Sequence, residues 1–279
     1  MAKLLDAIDA ANGGLLWIDD TAYSNRLLAG GKTPWGHAAE YVAYRRKAAG
    51  LLRPGVNVVP LAHFAEAWIT AHPDLREAMA AKKRVVVPAK TLLADEEFRA
   101  HMIDVLQGLR AAFGSSPLIL SLPSPRAWVS IAYRQAFGDD ADPEVGGDEA
   151  DSCSVYVAEF LRSFGEVGVD GLLLEEAAGQ EPASAEEIEW YQPVINVAGH
   201  YRWDIGLRFE DGSAFAGRVT GMTYVIAPTP LECAANGVVI NDAFWAGSDA
   251  PSAPKGGFRY LQIPADAVPE KVLERLATL

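Results

Sequence analysis

Acidic residues stand at the ends of several short apolar runs in this chain. Asp19 and Asp20 follow Leu-Leu-Trp-Ile, Glu175 and Glu176 follow Gly-Leu-Leu-Leu, Glu210 and Asp211 follow Gly-Leu-Arg-Phe, and Asp242 follows Val-Val-Ile-Asn. Carboxyl groups that converge on one apolar-walled cavity repel one another, which raises at least one pKa toward neutrality and makes that group a usable general acid or base. His63 adds an imidazole, whose ordinary pKa of about 6.5 suits proton transfer near neutral pH. Asp20, His63, Glu175, Glu176 and Asp242 are therefore the expected proton-handling residues. A second role competes with this one: Asp19, Glu175 and Asp211 are equally suited to capping the helices that follow them. His63 fits a buried structural histidine as well as a proton carrier.

Substrate-binding groups are expected nearby. Ser124 lies within the rigid Pro123-Ser124-Pro125 turn and Arg126 follows it, so that the turn would aim the guanidinium at a substrate carboxylate in bidentate geometry or pair it with Glu175 or Glu176. Tyr23, Trp35 and Trp245, together with Phe64 and Trp128, fall in or near the loops after strands and could wall a pocket; core packing is the default for each alone. Lys90 belongs to the same set of loop residues, whereas His37, His72, His101 and His200 read as solvated or packed. The glycine-rich, phosphate-loop and HExxH motifs are missing, and Cys153 and Cys233 lack CxxC or CxH partners. Neither a cofactor nor a metal is expected from these motifs.

The elements that would position these residues follow from hydrophobic patterning. Runs rich in β-branched and aliphatic residues, bounded by Gly, Pro or Asp, fall at 15–19, 56–60, 84–88, 118–122, 171–175, 204–209, 223–227 and 238–241. Helical spacing occupies 38–51, 65–80, 96–113, 155–167 and 185–197 between them. Alternation of this kind predicts an α/β fold, a (β/α)8 TIM barrel built as one domain over residues 1–279. The intervals 211–221 and 228–237 are too short for full helices, so shortened crossovers are expected in the second half. Residues 138–152 read as an acidic solvated loop, and 247–257 as another loop before a strand-like run at 258–263 and a closing helix at 269–279.

Composition limits the function classes. A formal net charge of −13 lacks the basic face that a nucleic-acid backbone or an anionic membrane would require. No apolar run reaches the roughly 20 residues that span a bilayer, and Asp6 and Asp9 stand where a signal peptide would be basic. A cytoplasmic protein with a small-molecule substrate is expected, with no nucleic-acid or membrane partner, and a homodimer is left open.

The order of features resembles the uroporphyrinogen decarboxylase family and, more loosely, the related cobalamin-independent methionine synthase barrel. Leu15-Leu16-Trp17-Ile18-Asp19 is similar to that family's first strand, and Glu40-Tyr41-Val42-Ala43-Tyr44-Arg45 to its following helix. The run from Pro117-Leu118-Ile119-Leu120 through Pro125 resembles its substrate-loop strand. Residues 156–179 resemble its helix, Gly-x-Asp turn and acid-ended strand, and 188–197, with Tyr191 and Pro193, a further helix. The resemblance implies a divergent member of this superfamily. Asp20-Thr21 stand where the decarboxylase has arginines for its tetrapyrrole, and 206–210 hold none of the His or Cys zinc ligands of the methyltransferase branch.

Together these features predict a metal-independent lyase, decarboxylase-like or dehydratase-like, acting on a small organic substrate by general acid/base catalysis at the barrel mouth. Two alternatives stay open: methyl or alkyl transfer, with a metal held by carboxylates and His63, and a non-catalytic barrel that binds a ligand.

Overall fold

The short apolar runs pair side by side rather than stacking into layers. The structure, a computed structural model, describes residues 4–177, 179–210 and 215–279. Eight strands run parallel in the order β1-β8-β7-β6-β5-β4-β3-β2. They are β1 (Leu16–Asp19), β2 (Asn57–Pro60), β3 (Leu118–Pro123), β4 (Gly171–Glu175), β5 (Asp204–Arg208), β6 (Tyr224–Ala227), β7 (Ala235–Ile240) and β8 (Phe258–Gln262). The remaining seam, between β1 and β2, is bridged where the Gly55 N–H donates to the Leu16 carbonyl at 2.9 Å. The result is a nearly closed (β/α)8 TIM barrel.

Helices cover the first half of the ring. In chain order they are α1 (Leu4–Ala11), α2 (Thr21–Ala29), α3 (Ala38–Leu52), α4 (Leu61–Ala71), α5 (Pro73–Met79), α6 (Val87–Ala94), α7 (Glu96–Phe113), α8 (Pro125–Phe137) and α9 (Gly147–Arg162). After β4 come α10 (Ala185–Ile188) and α11 (Gln192–Tyr201), and α12 (Pro269–Leu276) closes the chain. Among the described residues no helix separates β5 from β6 or β6 from β7, so the second-half crossovers are short, as their length requires.

Strand periodicity sorts the side chains into two sets. In β4, Leu172 and Leu174 point outward into the main core under the helices, whereas Leu173 points inward. The interior is filled by Trp17, Ile119, Leu173, Tyr224, Ile226, Phe258 and Tyr260. Gly206 makes room for one of these rings: a Cβ there would lie 2.2 Å from Tyr224. Leu4 and Ile8 of α1 are buried in the same interior cluster, and the Leu5 N–H donates to Asp204 Oδ2 at 3.1 Å. Helix α1 thus stoppers the end where the strands begin, each buried aliphatic side chain contributing about 1.5–3 kcal/mol.

The structure corrects several expected elements. The Arg84–Pro88 run is not a strand; it leads into α6, with Pro88 in the first helical turn. Proline has no N–H for a sheet ladder and a φ suited to a helix start, and α6 packs on α8 and α9, outside the ring. The expected eighth strand, near 238–241, is β7, and the strand-like run at 258–263 supplies β8. The single expected helix over 65–80 is broken at His72-Pro73 into α4 and α5. The acidic stretch 138–152 is only partly loop, because Gly147 onward forms the first turns of α9, where Glu149 accepts from the Gly146 N–H at 3.1 Å.

Candidate active site

At the end where the strands finish, the inward positions turn polar. Asp19 of β1, Ser121 of β3, Glu175 of β4, Arg208 of β5 and Gln262 of β8 line a cavity of about 360 Å³, with Tyr260 and Trp17 among the residues below them. Backbone register sets the neighbours: Glu175 lies opposite Arg208 across β4 and β5, and Asp19 opposite Gln262 across β1 and β8.

These groups form one connected cluster. Arg208 Nη1 lies 3.3 Å from Glu175 Oε1, and its guanidinium sits over the Tyr260 ring at 5.3 Å. The Tyr260 hydroxyl donates to Asp19 Oδ2 at 3.2 Å, and the Thr21 N–H donates to Asp19 Oδ1 at 3.1 Å. Glu175 is thus the carboxyl paired with Arg208, while Asp19 is held by the Tyr260 hydroxyl and the Thr21 N–H. Burial raises the Glu175 carboxyl above the ordinary carboxylate range; Arg208 pulls the other way, and the nearby Asp19 adds to the rise. About 30% of the Glu175 side chain remains accessible, which leaves this acid within reach of a small molecule.

A second ion pair closes the β1 side. Arg45 of α3 makes bidentate bonds to Asp20, at 2.9 and 3.0 Å, with both residues buried. Ser24 also donates to Asp20. Arg45 sits on the buried face of α3 with Tyr41, Ala48 and Leu52, so the pair locks α3 to the loop after β1. At the same cavity, His63 stacks on Trp35 with ring centroids 5.4 Å apart. The His63 side chain is half exposed, and its Nδ1 lies 4.0 Å from Glu66.

The structure thus brings Asp20, His63, Glu175 and Trp35 together at one cavity. The other expected site residues do not line it. Glu176 points outward and is buried, accepting from the Tyr191 hydroxyl at 2.6 Å and the Ser124 hydroxyl at 2.8 Å. Burial pushes its carboxyl up to about 7, against the opposing effect of those two hydrogen bonds. Ser124 also caps α8 through the Ala127 N–H. Arg126 pairs with neither Glu175 nor Glu176: it bonds Glu187 at 2.8 Å and lies over the Trp190 ring at 4.9 Å. Tyr23 is buried behind β1 among Ile18, Leu52, Ile263 and Val272. Trp245 packs outside the ring, its Nε1 donating to the Gln262 carbonyl at 3.1 Å. Asp242 is exposed in a 3-10 turn, Asp242–Phe244. Lys90 lies in α6, outside the barrel, over the Tyr156 ring, and Asp211 falls outside the described residues.

Three participants were missed as site residues. Arg208 is the last residue of β5, and the signal for it was a cation directly after the apolar Ile205-Gly206-Leu207 run. Tyr260 lies in a run not counted among the eight strands. Arg45 was singled out only through the family resemblance, although its spacing from Tyr41 and Ala48 marks a single helix face.

Among the described residues no three His, Cys, Asp or Glu side chains are grouped so as to hold a metal ion, and no helix is long and apolar enough to cross a membrane. No family model matches the chain, and no curated protein matches it in sequence.

Proposed function

We propose that this barrel is an enzyme of the lyase type, in which Glu175 carries a proton to or from a small organic substrate held at the strand ends. The observation that carries this reading is that two inward carboxyls at one cavity are held differently, Glu175 by the Arg208 guanidinium and Asp19 by the Tyr260 hydroxyl. Burial raises the Glu175 carboxyl, which suits it to carry a proton to the substrate, and the base's part falls to the second inward carboxyl, Asp19.

Each group has a role in this scheme. Glu175 delivers its proton to a departing hydroxyl, which leaves as water as the C–O bond breaks. Arg208 holds Glu175 in place and stabilises negative charge that develops on the substrate. Asp19, bonded by Tyr260, takes the proton from the adjacent carbon as the C=C bond forms, so that the reaction is a dehydration. The Asp20–Arg45 pair positions the β1 loop, and His63 with Trp35 forms the rim. None of these steps is routed through a metal, and turnover is expected to survive dialysis against a chelator. We further propose descent from the uroporphyrinogen decarboxylase-like barrels; what supports it is the acid-ended strand after residues 156–170 and the first-strand tryptophan.

The test is hydrogen exchange at carbon. The protein is incubated in D2O with a panel of small hydroxy and oxo compounds, and loss of C–H signals is followed by proton NMR. Exchange that falls by about 100-fold or more in Glu175→Gln is the expected result. Exchange by Glu175→Gln at the wild-type rate, or no exchange on any compound, would overturn the proposal.

A further inference from the structure

The charges that line the cavity limit what can enter it. Its cations are Arg45 and Arg208, and both are engaged: Arg45 by both oxygens of Asp20 at 2.9 and 3.0 Å, Arg208 by Glu175 at 3.3 Å and by the Tyr260 ring face. Among the described residues no lysine or further arginine lines it. A substrate carboxylate or phosphate would face Asp19, Asp20 and Glu175, with only the half-exposed His63 imidazole to meet it. Detaching either arginine to serve the newcomer would strand a carboxylate in a confined site, which is costly.

The remaining polar groups are neutral. Ser121, Thr21, Asn25 and Gln262 all line the cavity. The Asn25 amide oxygen accepts from the Thr33 hydroxyl at 2.8 Å, which leaves the NH2 of that amide as its free end. A lining that mixes donors with carboxylate acceptors suits hydroxyl groups, because each hydroxyl both donates and accepts. An ammonium group offers donors only and would leave the Asn25 NH2 unmatched. The apolar part of the wall, Trp17, Val58, Pro60 and Leu173, suits the C–H surface of a compact ring. The volume of about 360 Å³ is at the small end for ligand sites.

We infer that the natural substrate is an uncharged, hydroxyl-rich molecule of monosaccharide size, and that the site discriminates against its carboxylate-bearing counterparts. This inference rests on the general acid/base reading above, which it narrows to one substrate class.

The test uses three compounds that share one ring and differ in charge: D-glucose, D-glucuronate and D-glucosamine. Binding to the intact protein at neutral pH is measured by saturation-transfer NMR and tryptophan fluorescence. Glucose is expected to bind, glucuronate to bind at least about 10-fold more weakly, and glucosamine no more tightly than glucose. Gln262→Arg adds a third guanidinium at the exposed end of β8, opposite Asp19, and should shift the preference toward glucuronate by about 10-fold. Glucuronate binding as tightly as glucose to the wild-type protein would overturn the inference. So would a 10-fold preference for glucosamine, or no binding of any of the three at tens of millimolar. The hydrogen-exchange assay separates the two levels. Exchange confined to carboxylic acids would sink the substrate class and keep Glu175 as proton carrier, whereas glucose binding without exchange on any compound would do the reverse.

Discussion

Glu175 and Glu176 are consecutive in sequence and face opposite sides of the β4 strand end. Glu175 meets Arg208 in a cavity, with about 30% of its side chain accessible; Glu176 is sealed behind the sheet under Tyr191 and Ser124. Burial raises both carboxyls, and it is the sealed one that is pushed up to about 7. A raised pKa therefore does not by itself mark the working acid in this barrel. Access decides: a proton on Glu175 can reach a ligand, whereas a proton on Glu176 can reach only its own hydrogen-bond partners.

The largest expected contrast is in turnover. Glu175→Gln should lower the rate by about 100- to 10,000-fold, the usual range for losing a general acid or base. Glu176→Gln should stay within about threefold of the parent, and steady-state kinetics on whichever compound exchanges hydrogen would compare the two. If both variants lose activity equally, the division between open and sealed glutamates is wrong.

Stability should show the opposite ranking. Glu176→Ala removes the acceptor of two buried hydroxyl donors, and leaving such groups unsatisfied costs about 1–3 kcal/mol each. Denaturant titration should show a loss of about 2–6 kcal/mol for this variant. For Glu175→Ala, at the wet cavity, a smaller loss is expected.

The same burial predicts a pH trend. An unfolded glutamate releases its proton near 4.5, whereas folded Glu176 holds it to about 7. Between these values the folded state carries the extra proton, so stability falls as pH rises across the window, by up to about 3 kcal/mol from this group. Melting temperatures measured from pH 4.5 to 7.5 should decline less steeply in Glu176→Gln than in the parent, and identical slopes would refute the assignment.

The smallest effect concerns the hydroxyl on Asp19. Tyr260→Phe deletes one hydrogen bond to that carboxylate, and a rate loss of about 10-fold is expected from a contribution near 1–1.5 kcal/mol. A rate unchanged in Tyr260→Phe would remove Asp19 from the proposed proton path.

The sequence revealed the strand ends better than the strand count. β4 was legible residue for residue because its apolar run is bounded by Gly171 and an acid, and β1 nearly so. The Val85-Val86-Val87 run misled because β-branched residues favour strands in general, while Pro88 and the contacts of α6 place this one in the helical layer. Once that run took a strand's place, β8 was left over and Tyr260 was overlooked. Alternation along β4 separates Glu175 from Glu176, yet which face held the cavity depended on ring closure, a long-range property. Arg126 illustrates the same limit: its partner Glu187 lies 61 residues away, beyond β4.

The helical stopper at the strand-start end makes the barrel a cul-de-sac. With Leu4 and Ile8 seated among the interior aromatics, whatever arrives at Glu175 must leave by the end at which it entered. Spent molecules and fresh ones then queue for one passage, so accumulated product should compete with substrate for the vacant chamber, and clearing that passage becomes a candidate for the slowest stage of each cycle.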